Sequence, residues 1–225
     1  MKRKIIPELL DSDAGTPREV EGSLADLRFF NRVFGGTRTM RKLLGTVVQE
    51  RNLSSLDWLD VAGASGDVAL AASRTLLANG VDARALVLDR SPLHLTHELP
   101  AVCGDALALP FRDNSFDVVA CSLFIHHLAP GDVHRFAREA LRVARHAFVI
   151  NDLVRHPVHL SLVYAGLPLY RSRVTRHDAP ASVRSAYTME EMEQMLSGAG
   201  AVSVRMEMFY LFRMGVIAWK PQLTT

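Results

Sequence analysis

Four places in the chain put polar side chains where a ligand can meet them, and each follows an apolar run. The first is the turn Ala62-Gly63-Ala64-Ser65-Gly66-Asp67, which follows LDWLDV. Small side chains let the backbone approach a ligand closely, and the helix beyond offers unpaired N–H groups to a carboxylate or phosphate. The second is Asp89, with Arg90 beside it, at the end of ARALVLD. A carboxylate there accepts hydrogen bonds from a diol such as that of ribose. The third is Gly104-Asp105-Ala106, followed by Leu109-Pro110-Phe111. That carboxylate can accept from the amino group of a purine while its apolar neighbours pack on the ring. The fourth is Ser122-Leu123-Phe124-Ile125-His126-His127, in which either histidine is a candidate general base.

Each place taken singly has an ordinary explanation: a tight turn, a strand-end cap, a loop histidine. Their order along the chain argues otherwise. From Leu56 onward short apolar runs alternate with helical patterns: LDWLDVA, a helix over Asp67–Asn79 stopped by Gly80, ARALVLD, a very short helix over SPLHLTHE, LPAVCGD, FDVVACSLF, a helix over Pro130–Arg145, and HAFVIND. Such alternation predicts an α/β fold with a parallel sheet covered on both faces. In such a sheet ligands bind at the carboxyl ends of the strands, which is where the four places fall.

Flanking segments complete the layout. Residues 1 to about 22 are polar and contain Pro7, Gly15 and Pro17, which predicts a loose arm. Ser23 is placed to cap a helix through Val33, and a second helix is expected over Thr37–Arg51. A helix and loop are expected within Arg155–Tyr187. Thr188 with Glu191 predicts a capping box for a further helix, and VSVRMEMFY with FRMGVIAWK predicts a closing hairpin turned near Tyr210.

The quoted segments DVAGASGD, VLDRS, CGDALALPF, NSFDVVACSLFIHHL and VINDL resemble class I S-adenosylmethionine-dependent methyltransferases. They are most similar to the branch holding ubiquinone/menaquinone C-methyltransferases and many small-molecule methyltransferases. The resemblance implies a Rossmann-like sheet of seven strands, mostly parallel with the last antiparallel; residues 1–52 are expected to form an arm and lid helices, and 53–220 the methyltransferase domain, with a helical insert at about 155–187. It implies S-adenosylmethionine as cofactor, with Asp60, Ala62, Gly63, Ala64 and Gly66 at the methionyl part. Asp89 and Arg90 would meet the ribose, Gly104, Asp105 and Ala106 the adenine, and Ser122 the sulfonium side. Ala64 departs from the glycine the family usually has, and the short stretch from Asp89 to Asp105 leaves room for little helix.

His126 and His127 are the candidate catalytic residues; Phe30, Phe34, Asn151, His159 and Tyr170 are the candidate substrate contacts. The aromatic and aliphatic content around them points to a small, fairly hydrophobic acceptor, phenolic, polyketide-derived or quinone-like, methylated at oxygen or carbon. No N-P-P-Y segment stands at Ser122, so amino-group methylation of nucleic acid is not indicated, and the near-balanced net charge of +2 offers no basic stripe. G-x-G-x-x-G and Tyr-x-x-x-Lys are absent, which argues against a nicotinamide oxidoreductase. A methyltransferase-like protein acting through a partner is the competing reading. Cys103 and Cys121 each sit in an apolar run, as buried residues do, and no metal-ligating spacing is visible. With no signal-peptide or membrane-spanning pattern, a soluble, cytoplasmic protein is expected; the apolar residues of the first helices suit a lid or a homodimer interface.

Overall fold

The computed structural model describes residues 1–12, 14–95 and 98–221. Seven strands form one sheet: β1 (Ser55–Val61), β2 (Asp82–Asp89), β3 (Ala101–Cys103), β4 (Phe116–Ser122), β5 (Ala144–Leu153), β6 (Ser203–Phe209) and β7 (Arg213–Trp219). Their order is β3-β2-β1-β4-β5-β7-β6, and β7 alone runs against the direction of the other six. The runs 58–61, 118–121 and 147–152 in β1, β4 and β5 are buried at consecutive positions, because both faces of the sheet are covered. Alternate residues feed two cores. Leu59, Val61, Val119, Cys121, Phe148 and Ile150 turn one way, while Leu56, Trp58, Val118, Ala120 and Val149 turn the other.

The helices are α1 (Pro17–Val33), α2 (Gly36–Arg51), α3 (Asp67–Ala78), α4 (Pro130–Val143), α5 (Pro157–Gly166), α6 (Arg173–Ser185) and α7 (Met189–Ser197). Helices α2 and α3 cover one face of the sheet and α4 and α7 the other. The capping box expected at Thr188 is present, with Glu191 bonded back to the Thr188 N–H at 2.9 Å. The β6–β7 hairpin also forms as expected.

Several expectations are corrected. Helix α1 begins at Pro17, not after Ser23, because Thr16 and Glu19 make a capping box around a proline at the first helical position. Ser23 lies inside the helix and is buried against Thr175. The arm before α1 is not loose. Lys4 N–H donates to the Arg184 carbonyl, and the Leu9 and Leu10 N–H groups donate to the two oxygens of Asp178 at 2.9 and 3.0 Å. The segment SPLHLTHE forms a turn over 92–94 rather than a helix, and residues 96–97 of that expectation lie outside the described residues. The insert holds two α-helices, α5 and α6, where one was expected. Cys103 is exposed on the short edge strand β3, whereas Cys121 is buried as expected. No helix among the described residues is long and apolar enough to cross a membrane.

Candidate active site

The turn after β1 is held by a carboxylate from the end of β2. Asp89, at the end of β2, accepts the Ala64 N–H on Oδ2 at 2.9 Å and the Ser91 N–H on Oδ1 at 3.0 Å. The turn is therefore clamped by the residue expected to meet the ribose. Ala62, Ala64 and Gly66 all adopt left-handed conformations, with φ of 56°, 45° and 70°. The two alanines thus hold a backbone shape that costs an L-residue about 1–2 kcal/mol and glycine almost nothing. Gly63 is where a side chain has no room: a Cβ would sit 2.8 Å from Asp60 Oδ2 and 3.0 Å from Val87 Cγ1.

Asp60 lies beneath this turn. Both its carboxylate oxygens are buried without a hydrogen-bond partner. Burial, then the charges of Asp67 and Asp89, push its carboxyl up to about 8. An orphaned acceptor of this kind is costly in a folded protein unless a ligand completes it. The orphaned Asp60 and the Gly63 cradle fit a group that brings a cationic N–H donor and lies against the backbone, as the amino acid end of S-adenosylmethionine does.

The third strand end is tied to the second, since the Gly104 N–H donates to the Asp89 carbonyl at 3.0 Å. Asp105 is exposed and accepts the Leu107 N–H at 2.9 Å, while Ala106 beside it is buried. Arg90 has an exposed side chain, and its carbonyl accepts from the Cys103 thiol. At the fourth strand end Ser122 Oγ accepts from Asn151 Nδ2 at 3.2 Å, and the same amide reaches the Gly36 carbonyl at 3.0 Å.

His126 and His127 lie in a short 3₁₀ turn, Ile125–His127, beyond β4. They do not share one environment. His126 is buried, with Nδ1 at 2.6 Å from Asp152 Oδ1 and Nε2 at 3.6 Å from Glu8 Oε1. Burial opposes its charge, but Asp152 and Glu8 outweigh that effect and raise His126 to about 10. His127 is partly exposed and pairs through Nδ1 with Asp11 at 2.8 Å. Ligand-capable atoms of Glu8, His126 and His127 lie within 4.8 Å of one another. Glu8 was not singled out from the sequence; it arrives on the arm, 118 residues before His126.

Phe30, Phe34 and Tyr170 come together as expected. Phe30 stacks on Phe34 with ring centroids 5.6 Å apart and meets Tyr170 edge-on at 5.1 Å. The α5–α6 segment is tied to α1 by Asp26, whose Oδ2 accepts the N–H groups of Arg171 at 2.9 Å and Ser172 at 3.2 Å. His159 is separate from that aromatic group. It bonds the Val154 carbonyl at 3.1 Å and, with His156, stacks on Phe212. Sequence reasoning also missed Asn31 and Arg213. Asn31 touches Asp67 at 3.4 Å and Arg213 at 3.4 Å.

The strand order, with β7 reversed, is that of the class I S-adenosylmethionine-dependent methyltransferase fold. Residues 59–147 match the methyltransferase domain family. The ubiquinone/menaquinone biosynthesis C-methyltransferase UbiE of Nitrobacter hamburgensis is 35% identical over 107 residues, 42% of this chain and 40% of the relative. The UbiE of Dinoroseobacter shibae is 36% identical over 99 residues, 39% of this chain and 37% of the relative. The chain thus matches about two fifths of the length of these curated relatives. Among solved structures, an O-methyltransferase family 2 protein from Planctomyces limnophilus, in complex with apigenin, shares the fold. Its TM-score is 0.63 at 18% identity, covering 92% of this chain and 63% of that one. Human N-acetylserotonin methyltransferase in complex with S-adenosylmethionine shares it with a TM-score of 0.61 at 15% identity, covering 90% and 56%.

Proposed function

We propose that this protein transfers the methyl group of S-adenosylmethionine to oxygen or carbon of a small, fairly hydrophobic acceptor, phenolic, polyketide-derived or quinone-like. The observation that carries the reading is the orphaned carboxylate of Asp60 beneath a turn whose Ala64 N–H is held by Asp89. Asp60, Ala62, Gly63, Ala64 and Gly66 would hold the methionyl end. Asp89, with Arg90, would take the ribose hydroxyls, and Gly104, Asp105 and Ala106 would take the adenine. Asp89 keeps capacity for a diol, because a carboxylate offers about four lone pairs and two are used here. When bound, the cofactor supplies an electrophilic sulfonium methyl, and the chain supplies position and electrostatics.

On the acceptor side, Phe30, Phe34 and Tyr170 supply an aromatic face, and Ser122 and Asn151 supply polar groups at the ends of β4 and β5. His126 is assigned the proton-handling role. Asp152 holds and orients the ring through Nδ1, and Nε2 faces Glu8 of the arm. Asp152, and after it Glu8, keep the imidazole protonated at neutral pH, so His126 is set to hold or donate a proton. A quinone-like acceptor accords with the similarity to ubiquinone/menaquinone biosynthesis C-methyltransferases.

Calorimetric titration with S-adenosylmethionine, S-adenosylhomocysteine and NAD tests the reading. The two adenosyl ligands are expected to bind and NAD is not. Binding of NAD alone overturns the reading. Binding of none of the three favours a methyltransferase-like protein acting through a partner.

A further inference from the structure

Arg213 opens β7 opposite Leu153 in antiparallel register, so its side chain shares a face with Asn151 and not with Asp152. It is only 3% exposed. Its guanidinium makes two long hydrogen bonds, Nη1 to Asn151 Oδ1 and Nη2 to Asn31 Oδ1, both at 3.4 Å. Both partners are neutral amides. Among the described residues no carboxylate lies within ion-pair distance of it. Asp152, the anion whose charge it feels, is committed on the other face of the sheet to His126 at 2.6 Å. Burial pulls the guanidinium down to about 10 in spite of Asp152. His159 is the other titratable group facing it; burial, and then Arg213 itself among other groups, hold that imidazole below its usual range.

A buried cation without a counter-charge costs several kcal/mol, on the order of that for any unpaired buried ion. Arginine brings five N–H donors in a fixed fork that suits a carboxylate. The seat is built rather than accidental. A Cβ on Gly36 would lie 2.6 Å from Asn31 Oδ1 and 3.1 Å from Arg213 Cζ, so a glycine at the start of α2 is what lets the backbone pack directly on Asn31 and the guanidinium. The same two amides reach onward, Asn31 to Asp67 at the start of α3 and Asn151 to Ser122 at the end of β4. The cation thus sits between the turn that would hold the methionyl end and the strand end that would face the acceptor.

We propose that Arg213 is a carboxylate receptor, framed by Asn31, Asn151 and Gly36, which receives an acid group of a ligand of this site. The proposal rests on the methyltransferase reading for the source of that acid. Two carboxylates would supply the missing counter-charge: the methionyl carboxylate of the cofactor and the acid group of an acidic substrate.

The test compares the full-length wild type with Arg213→Met, which matches the volume without charge, and Arg213→Lys, which keeps charge without the fork. The probes are S-adenosylhomocysteine, 5′-methylthioadenosine (which lacks the carboxylate), and benzoate added to protein saturated with S-adenosylhomocysteine. Arg213→Met is expected to lose at least about tenfold in affinity on one carboxylate arm, the scale of a charge-assisted hydrogen bond. A loss on S-adenosylhomocysteine with 5′-methylthioadenosine unchanged assigns the carboxylate to the cofactor. A loss on benzoate alone assigns it to the substrate. Arg213→Met is also expected to melt no lower than wild type without ligand, because it removes an uncompensated charge. If Arg213→Met does not fold, the Arg213→Lys affinities decide by the same arms. Retention of affinity within about twofold on both arms overturns the receptor. Arg213-dependent benzoate binding by a wild type that ignores both adenosyl ligands overturns the methyltransferase reading and leaves the receptor standing; binding of no probe overturns both.

Discussion

Ala64 and Asp89 are joined across the carboxyl edge of the sheet, the Ala64 N–H donating to Asp89 Oδ2 at 2.9 Å. One carboxylate therefore both shapes the turn after β1 and presents its remaining lone pairs at the end of β2. Asp89→Ala is expected to remove both effects together. Affinity for S-adenosylhomocysteine should fall by about 1.5–3 kcal/mol, and the melting temperature should fall with it, because the Ala64 and Ser91 N–H groups lose their acceptor. Calorimetry and thermal denaturation check it; a variant with full affinity would place the ribose elsewhere.

The left-handed alanines make the opposite prediction. Ala64→Gly puts the residue with free access to φ near 45° where strain is stored. The relief of about 1–2 kcal/mol is offset by the greater freedom of glycine in the unfolded chain, about 0.4–1 kcal/mol. A change between about zero and a gain of about 1.5 kcal/mol in denaturant unfolding is expected. Cofactor affinity should be equal or higher. A net destabilisation would show that the methyl at this turn contributes packing.

Asp60 gives a pH dependence with a defined sign. Its folded carboxyl, at about 8, holds a proton more tightly than in the unfolded chain, where the reference value is 3.8. The stability it contributes is full below the reference value and is lost as pH rises through about 8. Asp60→Asn keeps the shape and removes the titration. In ligand-free protein the difference in melting temperature should shift in favour of the variant between pH 5 and pH 9. Parallel curves would show that Asp60 is solvated or paired. The variant should also bind S-adenosylhomocysteine more weakly, since the amide no longer supplies a charged acceptor.

The carboxyl-end sites were legible in the sequence because each is set by one short segment: an apolar run, then a small residue or an acid. Asp60, Asp89, Asp105 and Ser122 needed no knowledge of distant partners. Glu8, Asn31 and Arg213 did. Arg213 reads as the first residue of a strand, and its isolation becomes visible only once Asn31, Asn151 and Gly36 surround it. The signal for the start of α1 was present in Thr16-Pro17-Arg18-Glu19, but the glycine at 22 and the serine after it suggested a later start. The arm had no periodicity to read, because its order comes from backbone bonds to Asp178 and Arg184 rather than from an apolar face.

His126 and Asp152 form a buried pair at 2.6 Å whose removal should be costly. Asp152→Asn is expected to destabilise the protein by about 3–5 kcal/mol, the scale for leaving one partner of such a pair alone, and to lower the pKa of His126 sharply. Glu8→Gln should lower it by less and leave the fold intact, because Glu8 faces Nε2 at a longer 3.6 Å. The folded value of about 10 lies above the reference of 6.5, so the stability contributed by His126 is full below that reference and is lost as pH rises through about 10. NMR titration of the ring protons measures both variants; an unmoved His126 in Asp152→Asn would break the assignment of Asp152 as its orienting group.

Asp26 links α1 to the α5–α6 segment, and this link should matter for the acceptor more than for the cofactor. Its Oδ2 accepts the N–H groups of Arg171 and Ser172 immediately after Tyr170, whose ring meets Phe30 at 5.1 Å. Asp26→Ala leaves those two N–H groups without an acceptor, a cost of about 1–3 kcal/mol for an unsatisfied buried group. The segment then loses the bonds that hold Tyr170 against α1. Affinity for an apolar phenolic ligand such as 2-naphthol should fall more than affinity for S-adenosylhomocysteine, which meets none of these residues in the proposed site. Urea unfolding and two parallel titrations test this. An equal loss on both ligands would mean that the aromatic group supports the whole site rather than the acceptor alone.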